Sequence, residues 1–185
     1  MTDFLDTVSG SRTSISSTTN RYIVGPTVEL RLPAGFGVEF DALYRHFRYN
    51  SVASLVDAVS TLRTSGDAWE FPLVLKKRFI HGPVRPFLDA GVNFNKISGL
   101  SQTVQTIVFP NRSTTTTNSS PPELRHGFST GFTMGAGLEV HALLLRVSPE
   151  IRYTRWGTQN FNSIISGGSL QSNRNQVEFL IGITF

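Results

Sequence analysis

The feature that most constrains this chain is an apolar residue at every second position, kept up for about ten residues and repeated seven times. In RYIVGPTVELRL the even positions are Val24, Pro26, Val28, Leu30 and Leu32, set against Gly25, Thr27, Glu29 and Arg31. In FGVEFDALYRHF one face is Phe36, Val38, Phe40, Ala42 and Tyr44, and the other is Gly37, Glu39, Asp41, Leu43 and Arg45. The same rhythm runs through WEFPLVLKKRF (from Trp69), VRPFLDAGVNFN (from Val84), GFTMGAGLEV (from Gly131), LRVSPEIRYT (from Leu145) and the terminal NQVEFLIGITF. Side chains on a strand alternate between its two faces, so this period dictates strands with one apolar and one polar face. Ten residues is long for a strand in a globular domain, where five or six is usual. It is the length a tilted strand needs to cross a bilayer.

The connections alternate as well. LPAG, IHGP and the stretch around His141-Ala142 are tight turns, whereas residues 50–67, 98–126 and 157–175 read as long polar loops. The middle one contains the low-complexity run RSTTTTNSSPP. Short turns at one end and long loops at the other describe an antiparallel up-and-down meander.

The charges indicate which face is which. Glu29, Arg31, Glu39, Asp41, Arg45, Glu70, Lys76, Arg78, Arg85, Asp89, Glu139, Arg146, Glu150, Arg152 and Glu178 all fall on the polar faces, mid-strand, while the loops are mostly Ser, Thr and Asn. Opposite charges in near balance suit a closed interior, where each pairs across strands and none is buried alone. The apolar faces then look outward. Aromatics collect near both ends of those faces: Phe36, Phe79 and Phe185 by the tight turns, Tyr22, Trp69, Phe94 and Tyr153 toward the long loops. Lys77 falls on the apolar face near a tight turn, from which its ammonium can reach the interface.

Other classes find little in the sequence. Cysteine is absent, which removes disulfides, thiolate metal sites and a cysteine nucleophile. The net charge of +4 is dispersed, with KKR at 76–78 the densest cluster, so nucleic acid is not an expected partner. No run of 18 apolar residues is present, and MTDFLDTVSG lacks the basic start and apolar core of a secretory signal. His46, His81, His126 and His141 are not spaced as metal ligands, and Gly131, Gly135 and Gly137 lack the lysine of a phosphate loop and make room for large side chains instead. Asn111-Arg-Ser matches a glycosylation sequon and carries no argument. No Ser/His/carboxylate set emerges at one rim. The expectation is a chain that is not an enzyme and needs no cofactor.

From about residue 21 onward the chain resembles the small outer-membrane β-barrels of Gram-negative bacteria, the family of the OmpA transmembrane domain and OmpX. The ending VEFLIGITF resembles that family's C-terminal assembly signal. The resemblance implies that Val177, Phe179, Ile181, Ile183 and Phe185 are read by the barrel-assembly machinery. It also implies an outer-membrane location, lipid as surroundings, and long loops offered to an extracellular partner.

The fold expected is therefore all-β: an antiparallel up-and-down transmembrane β-barrel at 21–185, preceded by a loop remnant at 1–20, with seven strands present of an expected eight. Even strand numbers place both termini on one side, so parity calls for an upward strand and a signal peptide ahead of this sequence. It leaves a seam between the strands at 22–32 and 176–185, to be closed under strain, by residues 2–12, or by another chain. Three rivals stand beside this reading: a soluble lipocalin-like ligand-binding barrel with apolar faces inside, a narrow pore, and a lipid-modifying membrane enzyme.

Overall fold

The computed structural model describes residues 5–8, 13–17, 22–54, 58–79, 82–108, 112–118, 126–142, 145–158, 162–165 and 168–184. Phe185, His81, Asn111 and the Pro pair at 121–122 lie outside them. Among the described residues the chain is all-β and its ladders are antiparallel. The strands are β1 (Leu5–Val8), β2 (Thr13–Ser17), β3 (Thr27–Arg31), β4 (Phe36–Asp41), β5 (Leu43–Ser54), β6 (Ala58–Arg78), β7 (Val84–Val108), β8 (Arg112–Asn118), β9 (Phe128–Ala142), β10 (Leu145–Trp156), β11 (Asn162–Ile165), β12 (Gly168–Ser172) and β13 (Asn175–Thr184).

One sheet runs β13-β10-β9-β7-β6-β4-β3, a meander of sequence neighbours. β4 and β5 are successive parts of a single run along β6. Phe36 faces Lys77, Leu43 faces Glu70, and the register never slips. The break between them falls where Asp41 and Ala42 face Pro72 and Phe71. Pro72 has no N–H to give the ladder. Counted with β4 and β5 as one, this sheet has nine strands, not seven. The two beyond expectation are β2, paired with β5, and β8, paired with β7.

The long-loop regions need the larger correction. Strand pairing runs far into residues 50–67 and 98–126: β6 spans 21 residues and β7 spans 25, and they stay paired from Arg78 out to Ala58. The composition there, rich in Thr, Val, Ile and Ser, favours extended backbone even where neither face has a long apolar row. One irregularity interrupts the β6–β7 ladder, between Ser65 and Asp67. Gly99, at φ +61, supplies the left-handed residue that such a bulge requires.

The sheet is not closed. Among the described residues no ladder joins β3 to β13. The N-terminal segment expected as a loop remnant carries β1 and β2 instead. β1 pairs with β12, which pairs with β11 in a separate three-stranded sheet. β1 also lies against β2. The described N-terminal residues thus pair with β12 and β5 and not with residues 176–184.

Candidate functional site: a charged inner face behind an apolar wall

Curvature brings the polar faces of distant strands together. Arg152 on β10 is the hub. Its Nη1 donates to Asp41 Oδ2 at 2.6 Å, its Nη2 to Glu39 Oε1 at 3.2 Å and its Nε to Glu150 Oε1 at 2.6 Å. Asp41 and Glu39 sit on β4, more than a hundred residues away in sequence, so the contact spans the hollow of the sheet. Lys76 donates to Glu39 from the side, lies 3.8 Å from Glu150, and holds its ammonium 4.3 Å from the centre of the Phe87 ring.

A second layer lies toward the tight turns. Arg78 pairs with Glu29 at 2.6 Å and Glu139 at 2.9 Å. Arg31 reaches the same Glu139 at 3.2 Å, and the His141 ring takes its other oxygen at 2.8 Å. The third layer is toward the long-loop end. Arg45 donates to Glu70 at 3.2 Å and to Glu178. Gln176 gives its amide to Glu178 at 2.7 Å and Glu70 at 3.1 Å, and accepts the Trp156 indole N–H at 2.8 Å. Apart from Arg31, His141 and Glu29 toward the tight turns, these side chains are almost wholly buried, Glu70 and Arg152 among the most enclosed.

The fifteen charges expected on one face do not all join this network. Arg85 donates to the Gly82 carbonyl at 3.0 Å, and neither it nor Arg146 has an ion pair among the described residues. Asp89 is buried yet has no hydrogen-bond partner for either carboxylate oxygen. It fits only because its neighbour is Gly135; a Cβ there would stand 2.6 Å from Asp89 Oδ1. Members that the alternation gave no reason to single out are His141, beside Glu139, and Gln176, Trp156 and Asn93, which enter through hydrogen bonds, the Asn93 amide donating to Glu70 at 3.2 Å.

The opposite face is a continuous apolar wall. It includes Val28, Leu30, Leu73, Leu75, Leu88, Phe132, Met134, Leu138, Ile151, Phe179, Ile181 and Ile183, several more than half exposed, with Val28 at 69%. Of the expected assembly-signal residues, Val177, Phe179, Ile181 and Ile183 are on this wall. Lys77 crosses it as expected: its Nζ lies 3.9 Å from the centre of the Phe36 ring and donates to the Ala34 carbonyl in the first tight turn at 2.6 Å.

Above the wall the two faces exchange character. Past Trp69, the outward residues of β6 are Asp67, Ser65, Arg63 and Thr61. The inward ones include Ala68 and Gly66, packed with Phe47, Tyr49 and Ile97, all buried. Gly66 is needed here: a Cβ would meet Phe47 and Leu100 at under 3 Å. Outside this small apolar core a polar clasp forms. Tyr44 donates its hydroxyl to Asp67 at 2.6 Å. His46 Nδ1 sits 2.8 Å from the same oxygen, and Arg48 Nε donates to His46 Nε2 at 3.0 Å. The hydrogen bonds from His46 and then Tyr44 hold the Asp67 carboxyl below its ordinary range. Sequence reading missed this group because Asp67 lay in a presumed loop, 21 residues from His46.

No protein-family profile, curated protein or solved structure matches this chain.

Proposed function

We propose that this chain is a small bacterial outer-membrane β-barrel protein whose role is structural and interactive: it anchors long β-ribbons outside the membrane and has a plugged, ion-paired interior. The observation that carries the reading is the exchange of faces along one pair of strands. Below Trp69 the wall is apolar outside and charged inside; above it the order is reversed. A chain wholly in water has no reason to expose the first wall, and exposed apolar surface on this scale marks contact with another apolar phase. Lipid on one stretch and water on the next accounts for both. The Tyr44–Trp69 pair, with ring centres 5.1 Å apart, sits at the exchange, where amphipathic rings collect at a membrane interface.

The length of the ribbons agrees. A tilted crossing uses roughly 9–11 residues, so the rest of β6 and β7 projects beyond the bilayer. The interior agrees as well. Layers of Arg–carboxylate pairs fill the space of a narrow barrel and favour a plug over a pore. At the rim, Asp67 and Arg48 occupy both ring nitrogens of His46, which leaves neither to activate a nucleophile. In this reading the ring is seven strands of an eight-stranded barrel. β3 and β13 run in the same direction, so one strand of opposite sense fits antiparallel between them.

The test is folding of the purified chain in detergent micelles and in plain buffer, read by far-UV circular dichroism and by gel migration of unheated against boiled samples. Sheet structure and a heat-sensitive mobility shift that need detergent are expected. A soluble, monomeric, cooperatively folded chain in buffer would overturn the reading and favour a ligand-binding barrel.

A further inference from the structure

The outer wall holds an open groove of about 640 Å³ near the long-loop end. Val92 on β7, Phe132 and Met134 on β9, and Tyr153 on β10 give it an apolar floor, and Arg155 and Arg174 stand at its upper lip. Both arginines are exposed. Neither has an ion pair among the described residues. Of the other outward cations, Lys77 is held at a turn carbonyl and Arg48 by His46, and the exposed Lys96 is not among the groove's lining residues. Arg174 is nevertheless fixed, since its Nη2 donates to the Gly157 carbonyl at 2.9 Å. Below them the Tyr153 hydroxyl is tied to Asn175 at 2.8 Å.

We propose that this groove seats a membrane lipid with an anionic phosphate headgroup, its phosphate between the Arg155 and Arg174 guanidiniums and an acyl chain along Phe132, Met134 and Val92. The inference rests on the membrane reading above and adds a ligand to it. Charge complementarity carries it. A planar guanidinium matches phosphate oxygens through paired N–H donors, and two of them without carboxylates share the lip of an apolar trough. Depth agrees. Arg155 lies two residues beyond Tyr153 on its strand, toward the long-loop end, where aromatic side chains mark the interface and headgroups begin.

Trp156 backs the groove from inside, and the chain has only one other tryptophan, Trp69. A W69F variant therefore leaves a single reporter beside the site. It would be refolded into phosphatidylcholine vesicles in which part of the lipid is phosphatidylglycerol brominated in its acyl chains, or phosphatidylcholine brominated in the same way. Two basic groups at the surface enrich an anionic lipid locally on the order of tenfold, so brominated phosphatidylglycerol is expected to quench Trp156 far more than the zwitterionic lipid does. In R155Q/R174Q the two lipids should quench alike. In K96Q, which removes an exposed cation elsewhere on the wall, the difference should persist. Native mass spectrometry of the wild type from mixed micelles, read as retained phosphatidylglycerol, gives the same comparison without W69F. Equal quenching by both lipids in a folded protein, or an equal loss in K96Q, overturns the site and leaves the membrane reading standing. A chain that fails to give a heat-sensitive folded band in vesicles overturns both.

Discussion

The lower part of β6, from Trp69 to Arg78, and its upper part, from Ala58 to Ala68, belong to one strand and obey opposite rules. Below, Leu73 and Leu75 face out while Glu70 and Lys76 are buried; above, Arg63 and Asp67 face out while Gly66 and Ala68 are buried. Both parts are extended and pair antiparallel with β7, with one bulge between Ser65 and Asp67. What differs is the surroundings each face must satisfy. The difference teaches that "inside" is not a property of hydrophobic residues: charge is buried where most of the ions find partners, and a small apolar core forms where the outer face is polar.

Breaking the lower region at its hub should cost most. Arg152→Leu leaves Glu39, Asp41 and Glu150 facing one another without their shared cation, and stability should fall by about 3–5 kcal/mol. Equilibrium urea unfolding in lipid or detergent measures this, and a second change, Glu150→Gln, should recover part of the loss. The upper region should break differently. Phe47→Ala empties its core at a cost of about 3 kcal/mol. Because that core is confined to the ribbon, amide hydrogen exchange should rise in β5 and upper β6 while the lower strands stay protected.

A charge on the outer face sharpens the contrast. Ile151→Arg places a cation mid-strand on the wall and should destabilise the protein in a bilayer by about 2–4 kcal/mol. Ser101→Arg, on the outer face of the ribbon, should change stability by no more than about 0.5 kcal/mol. Equal costs at the two positions would remove the distinction.

The smallest effect concerns pH. The Asp67 carboxyl is held below its ordinary value of 3.8 in the folded chain. Its bonds to His46 and Tyr44 thus stabilise the ribbon fully above that value, and the contribution fades as pH falls through the lower folded one. Asp67→Asn should remove this acid-sensitive part of ribbon stability, seen as a smaller difference in hydrogen exchange between neutral and acidic buffer than the wild type gives.

How far the sequence could be read follows from the same contrast. Where one face was consistently apolar, as in Leu73–Leu75 or Ile181–Ile183, the alternation marked out the strands and separated Glu39, Arg152 and Glu178 from the wall. In residues 50–67 and 98–118 both faces are mixed in sequence, and the bulge at Gly99 shifts the phase of the alternation. The ribbons therefore looked like loops, and the Phe47 core and the Asp67 clasp were hidden with them. Gln176 and Trp156 were invisible for another reason. They act by closing hydrogen bonds around Glu70 and Glu178, and pairing of that kind is set by curvature, which a linear pattern does not record.

The central claim is that the outer face passes from lipid to water near Trp69. With no native cysteine, single cysteines can be placed at outward positions along β6 in protein reconstituted in vesicles, and probed with a water-soluble maleimide. The account predicts that positions 61, 63 and 65 react and that 71, 73 and 75 do not, with the change falling at 67–69. Reaction at all six positions would contradict it.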